Sequence, residues 1–113
     1  MRSIEEMQKA IADFCTERDW DQFHNAKDLA IGISTEANEL LDLFRFKSSE
    51  EALKAHPDKV REEVADILFF LLRFAERNQI DLDAALQDKM EKNNRKYPVE
   101  KARGSNKKYN EYE

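Results

Sequence analysis

Glycine, proline and cysteine are scarce in this 113-residue sequence, which contains two glycines, two prolines and one cysteine. Glycine and proline make most tight turns, so their scarcity favours a few long helices over many short strands. The length fits a single domain. Cys15 has no second cysteine for an internal disulfide, and its helical spacing from Ile11 predicts a packing role rather than a catalytic thiol.

Long apolar runs are also absent. A membrane-spanning helix needs roughly 18 consecutive apolar residues, whereas the longest run here, residues 67–72, ends at Arg73. Glu5 and Glu6 lie where a secretory signal sequence would be apolar. We therefore expect a cytoplasmic protein with no membrane partner.

Acidic and basic side chains are unevenly distributed along the chain. Residues 1–88 carry 11 basic and 20 acidic side chains, whereas residues 89–108 carry eight basic and two acidic ones. An acidic body with a basic segment can bind a metal together with a polyanion, although a solvated basic tail would have the same composition. Nucleic-acid binding is disfavoured, because the net charge is −5 and the acidic body would repel a phosphate backbone.

Apolar residues recur at spacings of three and four, which is typical of helices that bury one face. Ser3 and Glu6 form a capping box at the first helix, and Pro57 is well placed as a first helical residue. The predicted long helices cover residues 3–18, 25–46, 57–78 and 81–97, and a short helical segment covers 50–56. Trp20 and Phe23, between the first two helices, are predicted core residues.

The middle of the third long helix is apolar on nearly all sides, because residues 67–72 form an uninterrupted apolar run. Helices of this kind are buried on several faces, and in so small a chain a second subunit is the natural cover. We predict an all-α fold with a four-helix-bundle-like core that is completed by oligomerisation. The helical domain is expected to span residues 1–98, followed by a basic tail over 99–113.

Two pairs of acids lie on the second and third long helices. Glu36 and Glu39 are three residues apart and share one helix face, as do Glu63 and Asp66. If the two helices pack antiparallel, the four carboxylates meet and repel one another unless a cation lies between them. Hard oxygen ligands suit Mg²⁺ or Mn²⁺. The alternative is a solvated acidic face, which is common for acids at this spacing.

Sequence context favours the metal site over a solvated face. Glu36 and Glu39 lie among apolar residues, and Asp66 directly precedes the apolar run 67–72. Acids at the edge of a core need partners. Zinc is disfavoured, because the sequence has only two histidines and one cysteine. The Glu-x-x-His motif of common di-iron bundles is absent as well.

The acid motif resembles that of the MazG-like all-α nucleotide pyrophosphohydrolases, most closely their dCTP pyrophosphatase branch. It consists of Glu-x-x-Glu at 36–39 followed by Glu-x-x-Asp at 63–66. Three further stretches look like that branch, namely residues 18–24, 89–98, and 102–105 with 107–109. The resemblance covers nearly the whole chain. It implies a MazG-type bundle that hydrolyses a nucleoside triphosphate to the monophosphate and pyrophosphate, with a place in nucleotide metabolism such as house-cleaning of the nucleotide pool.

The resemblance also implies roles for individual residues. The metal ligands and catalytic residues would be Glu36, Glu39, Glu63 and Asp66, with Mg²⁺ as the cofactor and Mn²⁺ as a substitute. The triphosphate contacts would come from Lys89, Asn93, Lys96 and Arg103, with Tyr97 nearby. His24 and Phe46 would line the nucleoside pocket. The basic tail 99–113 would thereby contribute to the substrate site of a homo-oligomer, either a dimer or a tetramer.

Two positions depart from the family pattern. Phe46 stands where the family often has Trp, and Phe70 stands where the dCTP-specific animal members carry Tyr. Phe46 can still stack on a base, whereas Phe70 lacks one hydroxyl for a hydrogen bond. We expect a deoxynucleotide substrate, with dCTP or a related pyrimidine favoured. The alternative function is a non-catalytic helical module that binds nucleotides or another protein.

Overall fold

The computed structural model describes residues 1–112, and its regular structure in that range is helical with no strands. The all-α class predicted from the sequence is therefore confirmed. No helix within these residues is both long enough and apolar enough to cross a membrane. The helices are α1 Ile4–Glu17, α2 Ala26–Asp42, α3 Ser49–Ala55, α4 Pro57–Arg77, α5 Leu82–Lys96 and α6 Val99–Ala102, with 3₁₀ turns at Asp21–Phe23 and Tyr109–Glu111.

The helices begin where short-range chemistry predicts. The Glu6 backbone N–H donates to Ser3 Oγ and the Ser3 N–H donates to Glu6 Oε1, both at 3.1 Å, which completes the predicted capping box. The Asp28 N–H donates to Asn25 Oδ1 at 2.8 Å at the start of α2. Asp81 caps α5 in the same way, and Pro57 is the first residue of α4. The predicted starts of these helices are confirmed.

The predicted end of α2 was wrong by about one turn. α2 ends at Asp42, and residues 43–47 continue in tighter turns, such as the Lys47 N–H donating to the Phe44 carbonyl at 3.1 Å. Phe46 has φ +59°, a conformation that bulky residues rarely adopt and that cannot continue a right-handed helix. Apolar spacing does not distinguish a helix from such turns, because both bring every third or fourth residue to one side.

The structure divides into two compact units, Met1–Gln79 and Ile80–Glu113. In the first unit α1, α2 and α3 all pack on α4, the helix with the apolar middle. In the second unit the rings of Tyr109 and Tyr112 lie edge-on to Tyr97, with centroids 6.1 and 6.0 Å apart. These contacts hold the tail against the end of α5. The functional division at residue 98 and the completion of the core by oligomerisation stay predictions.

Two aromatic residues predicted to be buried are exposed. Trp20 and Phe23 retain 40% and 59% of their accessible surface, so their assignment to the core was wrong. Asp19 has φ +54° and reverses the chain after α1. The following 3₁₀ turn brings Asp21 into a hydrogen bond with the buried Arg73, while Trp20 packs edge-on against Phe14 with centroids 5.6 Å apart. The ion pair of Asp21 with Arg73, rather than a buried aromatic side chain, therefore attaches this connection to α4.

Helices α2 and α4 come very close together at Gly32. A Cβ atom on Gly32 would lie 2.6 Å from the ring of Phe70, well inside the normal separation of carbon atoms. Gly32 is near the start of α2 and Phe70 is near the end of α4, whereas Glu36 lies beside Glu63 further along. The two helices therefore run antiparallel, as the acid pairs require.

We predict that Gly32→Ala destabilises the fold by about 1–3 kcal/mol, because the new methyl group must displace the Phe70 ring. This figure is the net effect, in which the steric cost exceeds the gain of about 1 kcal/mol that alanine brings to a helix interior. In a Phe70→Leu background the ring is gone, and the same change is expected to stabilise the protein. Urea denaturation of the four proteins completes a double-mutant cycle. An equal effect in both backgrounds would contradict close packing at this point.

Candidate functional site

Three of the four predicted metal-binding acids lie together. One carboxylate oxygen from each of Glu36, Glu39 and Glu63 lies within 4.8 Å of the other two. The spacing of three residues places Glu36 and Glu39 on one face of α2, and the antiparallel α4 brings Glu63 opposite them. Gly32, one turn before Glu36, permits the close approach of the two helices. These three residues are called the carboxylate cluster below.

Asp66 lies one turn beyond Glu63 on α4, outside the carboxylate cluster. Its side chain is exposed. Its negative charge still acts on the cluster, since it raises the pKa of both Glu36 and Glu63. The role of all four acids as metal ligands and catalytic residues stays a prediction.

Burial and mutual repulsion make the carboxylate cluster unfavourable by itself. Glu63 is only 7% exposed, and Glu36 Oε2 and Glu63 Oε2 are buried without a hydrogen-bond partner among residues 1–112. Burial, followed by repulsion from the negative charge of Glu39, raises the pKa of Glu36 to about 7. The same causes raise the pKa of Glu63. Unpartnered buried carboxylate oxygens are costly, and a bound cation would compensate for them.

The donor set of the cluster fits a hard divalent cation. All three ligand atoms are carboxylate oxygens, the type that Mg²⁺ and Mn²⁺ prefer. No histidine or cysteine belongs to the group, although zinc sites usually contain such ligands. The cluster therefore offers a site for a divalent metal ion, and the choice of Mg²⁺ stays a prediction.

The two residues predicted to line the nucleoside pocket lie at opposite ends of α2. His24 directly precedes the N-cap residue Asn25, and its Nδ1 accepts a hydrogen bond from Arg73 Nε at 3.0 Å. Phe46 follows the other end and is 93% exposed, with Cζ of Arg45 5.0 Å from its ring centroid. His24 therefore does not cap the helix, and Phe46 does not close the core. Neither role in substrate binding is contradicted by these positions.

The predicted triphosphate-binding residues belong to the second unit. Lys89, Asn93 and Lys96 share one face of α5, because they are four and three residues apart. Tyr97 ends α5 and Arg103 ends α6. A helix face with two lysines and an amide can bind an anion through several hydrogen bonds at once. The assignment of these residues to the substrate stays a prediction.

Sequence analysis missed a buried arginine in the first unit. Arg73 is 2% exposed and donates hydrogen bonds to Asp21 Oδ1, to Glu76 Oε2 at 3.0 Å and to His24 Nδ1. In the sequence it only marks the end of an apolar run. Its single charge beside six apolar residues was the available indication, because a charge on a core face needs buried partners.

Cys15 lies close to this arginine and is fully buried. Burial raises the pKa of its thiol, and the nearby Arg73 only partly opposes this effect. The net effect favours the neutral thiol even though a basic group lies near it. Its burial supports the predicted packing role.

In the presence of a chelator, the protein is expected to lose stability relative to a Glu36→Gln variant as the pH rises from about 4.5 to about 7. The folded state raises the pKa of Glu36, so it holds a proton that the unfolded chain has already released, and a rising pH favours unfolding. The lowered pKa of His24 makes both proteins more stable as the pH rises, which opposes the effect of Glu36. The difference in stability between the parent and Glu36→Gln removes this shared contribution.

Thermal denaturation across this pH range measures that difference. Glu62→Gln is the matched control, because Glu62 is exposed beside Glu63 and makes only a 3.9 Å pair with Lys59. The melting temperature of Glu62→Gln should change with pH in the same way as that of the parent. A parent that gains stability relative to Glu36→Gln as the pH rises would contradict the prediction.

Comparison with known proteins agrees with this architecture. A sequence model of the MazG-like family matches residues 31–112. dCTP pyrophosphatase 1 of Mus musculus is 39% identical over 112 residues, covering 95% of this chain and 66% of the relative. The Homo sapiens protein of that name is 35% identical, covering 96% and 67%. This chain thus spans about two thirds of the length of these relatives.

A solved structure is similar in both sequence and fold. The crystal structure of a pyrophosphatase from Archaeoglobus fulgidus is 38% identical, with a TM-score of 0.80. The match covers 87% of this chain and 94% of that one. Since the family model matches most of the sequence and the fold matches as well, this chain belongs to the MazG-like family.

Proposed function

We propose that this protein hydrolyses a nucleoside triphosphate to the monophosphate and pyrophosphate with Mg²⁺, or Mn²⁺ in its place. The substrate is a deoxynucleotide, with dCTP or a related pyrimidine favoured. The observation that carries the proposal is the carboxylate cluster of Glu36, Glu39 and Glu63, with its two unpartnered buried oxygens. The relatives named dCTP pyrophosphatase support the choice of substrate. An acidic face that is only solvated would not leave two carboxylate oxygens buried without partners.

The residues of the chain divide the chemical work. Glu36, Glu39, Glu63 and Asp66 would hold the metal, and its positive charge would offset the repulsion between these carboxylates and the substrate phosphates. When bound at these residues, the metal would neutralise charge on the leaving pyrophosphate and make the attacking water more acidic. A carboxylate oxygen of the cluster accepts the proton of the attacking water. Burial of Glu63 excludes bulk water from that side and strengthens each electrostatic contact.

The substrate is held at two further places. Lys89, Asn93, Lys96 and Arg103 bind the triphosphate, with Tyr97 nearby, so the tail 99–113 contributes to the substrate site. Phe46 stacks on the base, since its ring is almost fully exposed, and His24 forms a hydrogen bond with the nucleoside. Phe70 lies against Gly32 between the two acid-bearing helices and offers no hydroxyl to the substrate.

The separation of His24 and Phe46 supports a homo-oligomer. α2 has 17 residues and is therefore about 25 Å long, which is longer than a nucleoside. One nucleoside cannot contact both residues of a single chain, so a second copy supplies one of them. The apolar side chains of Val64, Leu68 and Leu71 follow one face of α4 and remain about half exposed. This face is the proposed contact between copies in a dimer or tetramer.

With Mg²⁺, the protein is expected to convert dCTP to dCMP and pyrophosphate. Glu39→Gln and Asp66→Asn are expected to lower this activity by orders of magnitude while the fold survives, because the octahedral shell of Mg²⁺ cannot easily replace a lost carboxylate. Anion-exchange chromatography identifies the products, and a screen of the eight common triphosphates ranks the substrates. Mg²⁺-induced shifts in melting temperature report metal binding by mass action.

The control for these variants is Glu62→Gln, which removes an exposed acid next to the cluster and should keep full activity. If the acids form only a solvated face, the amide variants should change stability by less than about 0.5 kcal/mol and leave hydrolysis unchanged. Full activity in both amide variants would rule out the metal site. Release of orthophosphate and dCDP would rule out the proposed bond cleavage.

The oligomer is tested by mixing two inactive variants. His24→Ala and Phe46→Ala should each lose most activity, and a mixed dimer should regain one complete site from its two unmutated residues. Light scattering measures the mass of the oligomer. Leu71→Lys should lower this mass, because it places a charge on the proposed contact. Leu53→Lys is the control, because Leu53 lies on α3 with similar exposure, and it should leave the mass unchanged. A monomeric parent at micromolar concentration, or no recovery in a mixed oligomer, would contradict the shared site.

A further inference from the structure

Arg73 is buried in the first unit, at the centre of a hydrogen-bonded group whose other members are partly exposed. Its Nη2 donates to Asp21 Oδ1 and its Nη1 donates to Glu76 Oε2 at 3.0 Å. Two carboxylates thus already balance its charge. Its Nε nevertheless makes a third hydrogen bond, to Nδ1 of His24 at 3.0 Å. This bond to a neutral ring is not required to pair the charge.

The third bond determines which nitrogen of His24 carries a proton. A guanidinium group can only donate hydrogen bonds, so Nδ1 must accept with its lone pair. The ring proton therefore lies on Nε2. Protonation of Nδ1 would bring two donors face to face and break the bond to Arg73. The ring is thus held as the neutral Nε2–H tautomer.

Burial and the neighbouring arginines also favour the neutral form of His24. Burial is the largest cause that lowers its pKa, followed by the positive charges of Arg73 and Arg77 from α4, while Asp21 opposes them. Trp20 lies edge-on to the imidazole with the ring centroids 6.4 Å apart, which further limits its orientation. His24 therefore presents one N–H donor in a defined direction and carries no charge.

We propose that Arg73 is a positioning residue that holds His24 as a neutral Nε2–H donor for a neutral acceptor on the nucleoside. This inference rests on the proposed function, in which His24 contacts the nucleoside. A histidine that binds phosphate gains from being protonated, and a carboxylate at Nδ1 would promote protonation. Here a permanent cation faces Nδ1 instead. A base carbonyl oxygen, a ring nitrogen and a sugar hydroxyl are acceptors of the required kind.

A purely structural role for Arg73 predicts something different. In that account Arg73 only anchors the 3₁₀ turn to α4 through Asp21, and its loss would weaken the fold. The tautomer of His24 and the recognition of the nucleoside would then be unaffected. The two accounts are distinguished by measurements on His24 itself.

Nitrogen NMR of the parent protein tests the tautomer without any substitution at Arg73. His24 should show a protonated Nε2 and an accepting Nδ1, with a titration midpoint below 6.5. His56→Gln assigns the spectrum, because His24 and His56 are the only histidines. In Arg73→Gln the midpoint should rise toward 6.5 and the second tautomer should appear. Arg77→Gln removes the same charge from α4 without a bond to His24 and should keep the tautomer.

Kinetics and inhibition test the neutral acceptor. Arg73→Gln and His24→Asn should raise KM for dCTP more than they lower kcat, and inhibition by inorganic tripolyphosphate should not change. Arg77→Gln should keep the parent KM. If Arg73→Gln does not fold, Arg73→Lys replaces it. This variant keeps the charge but loses the planar fork of the guanidinium, so it should still change the tautomer of His24 and raise KM for dCTP.

Three results would overturn the inference. They are a protonated Nδ1 in the parent, an unchanged His24 spectrum in Arg73→Gln, and a loss of tripolyphosphate binding in Arg73→Gln as large as its loss of dCTP binding. Failure of the proposed function is recognised separately, because the parent would then hydrolyse no triphosphate whatever the state of His24.

Discussion

The close packing of α2 on α4 at Gly32 determines where the acids of the candidate site lie. With no side chain at Gly32, the Phe70 ring fits between the helices. The antiparallel direction then brings Glu36 and Glu39 opposite Glu63. This packing brings the carboxylates together and buries one oxygen each of Glu36 and Glu63, which is unfavourable without a cation. The same contact that builds the core therefore also forms the carboxylate cluster that could hold a divalent cation.

Helix α4 buries charge in two contrasting ways. Arg73 is buried with every nitrogen of its guanidinium engaged, by Asp21, Glu76 and His24. Glu63, ten residues earlier, is buried with an oxygen that has no partner among residues 1–112. A fully satisfied charge holds its neighbours in place, whereas an unsatisfied one binds whatever supplies the missing partner. The two buried charges of one helix thus differ in whether their hydrogen-bonding groups are satisfied.

Helix positions were largely predictable, because caps and apolar spacing act within a few residues of one another. Ser3, Asn25, Pro57 and Asp81 begin helices as expected. The end of α2 was not predictable, since the tight turns before Phe46 keep the same apolar spacing. The exposure of Trp20 was also missed, because the hydrogen bond of Asp21 with the buried Arg73 joins residues far apart in the sequence.

The sequence by itself determined the helices, the shared face of each acid pair and the family resemblance, since each depends on residues close in the chain or on their order. Only the tertiary structure decided that Glu63 joins Glu36 and Glu39 while Asp66 stays exposed. It alone decided the raised pKa of Glu36 and the tautomer of His24. The physical reason is that burial and charge coupling depend on distances between helices, which no local pattern encodes.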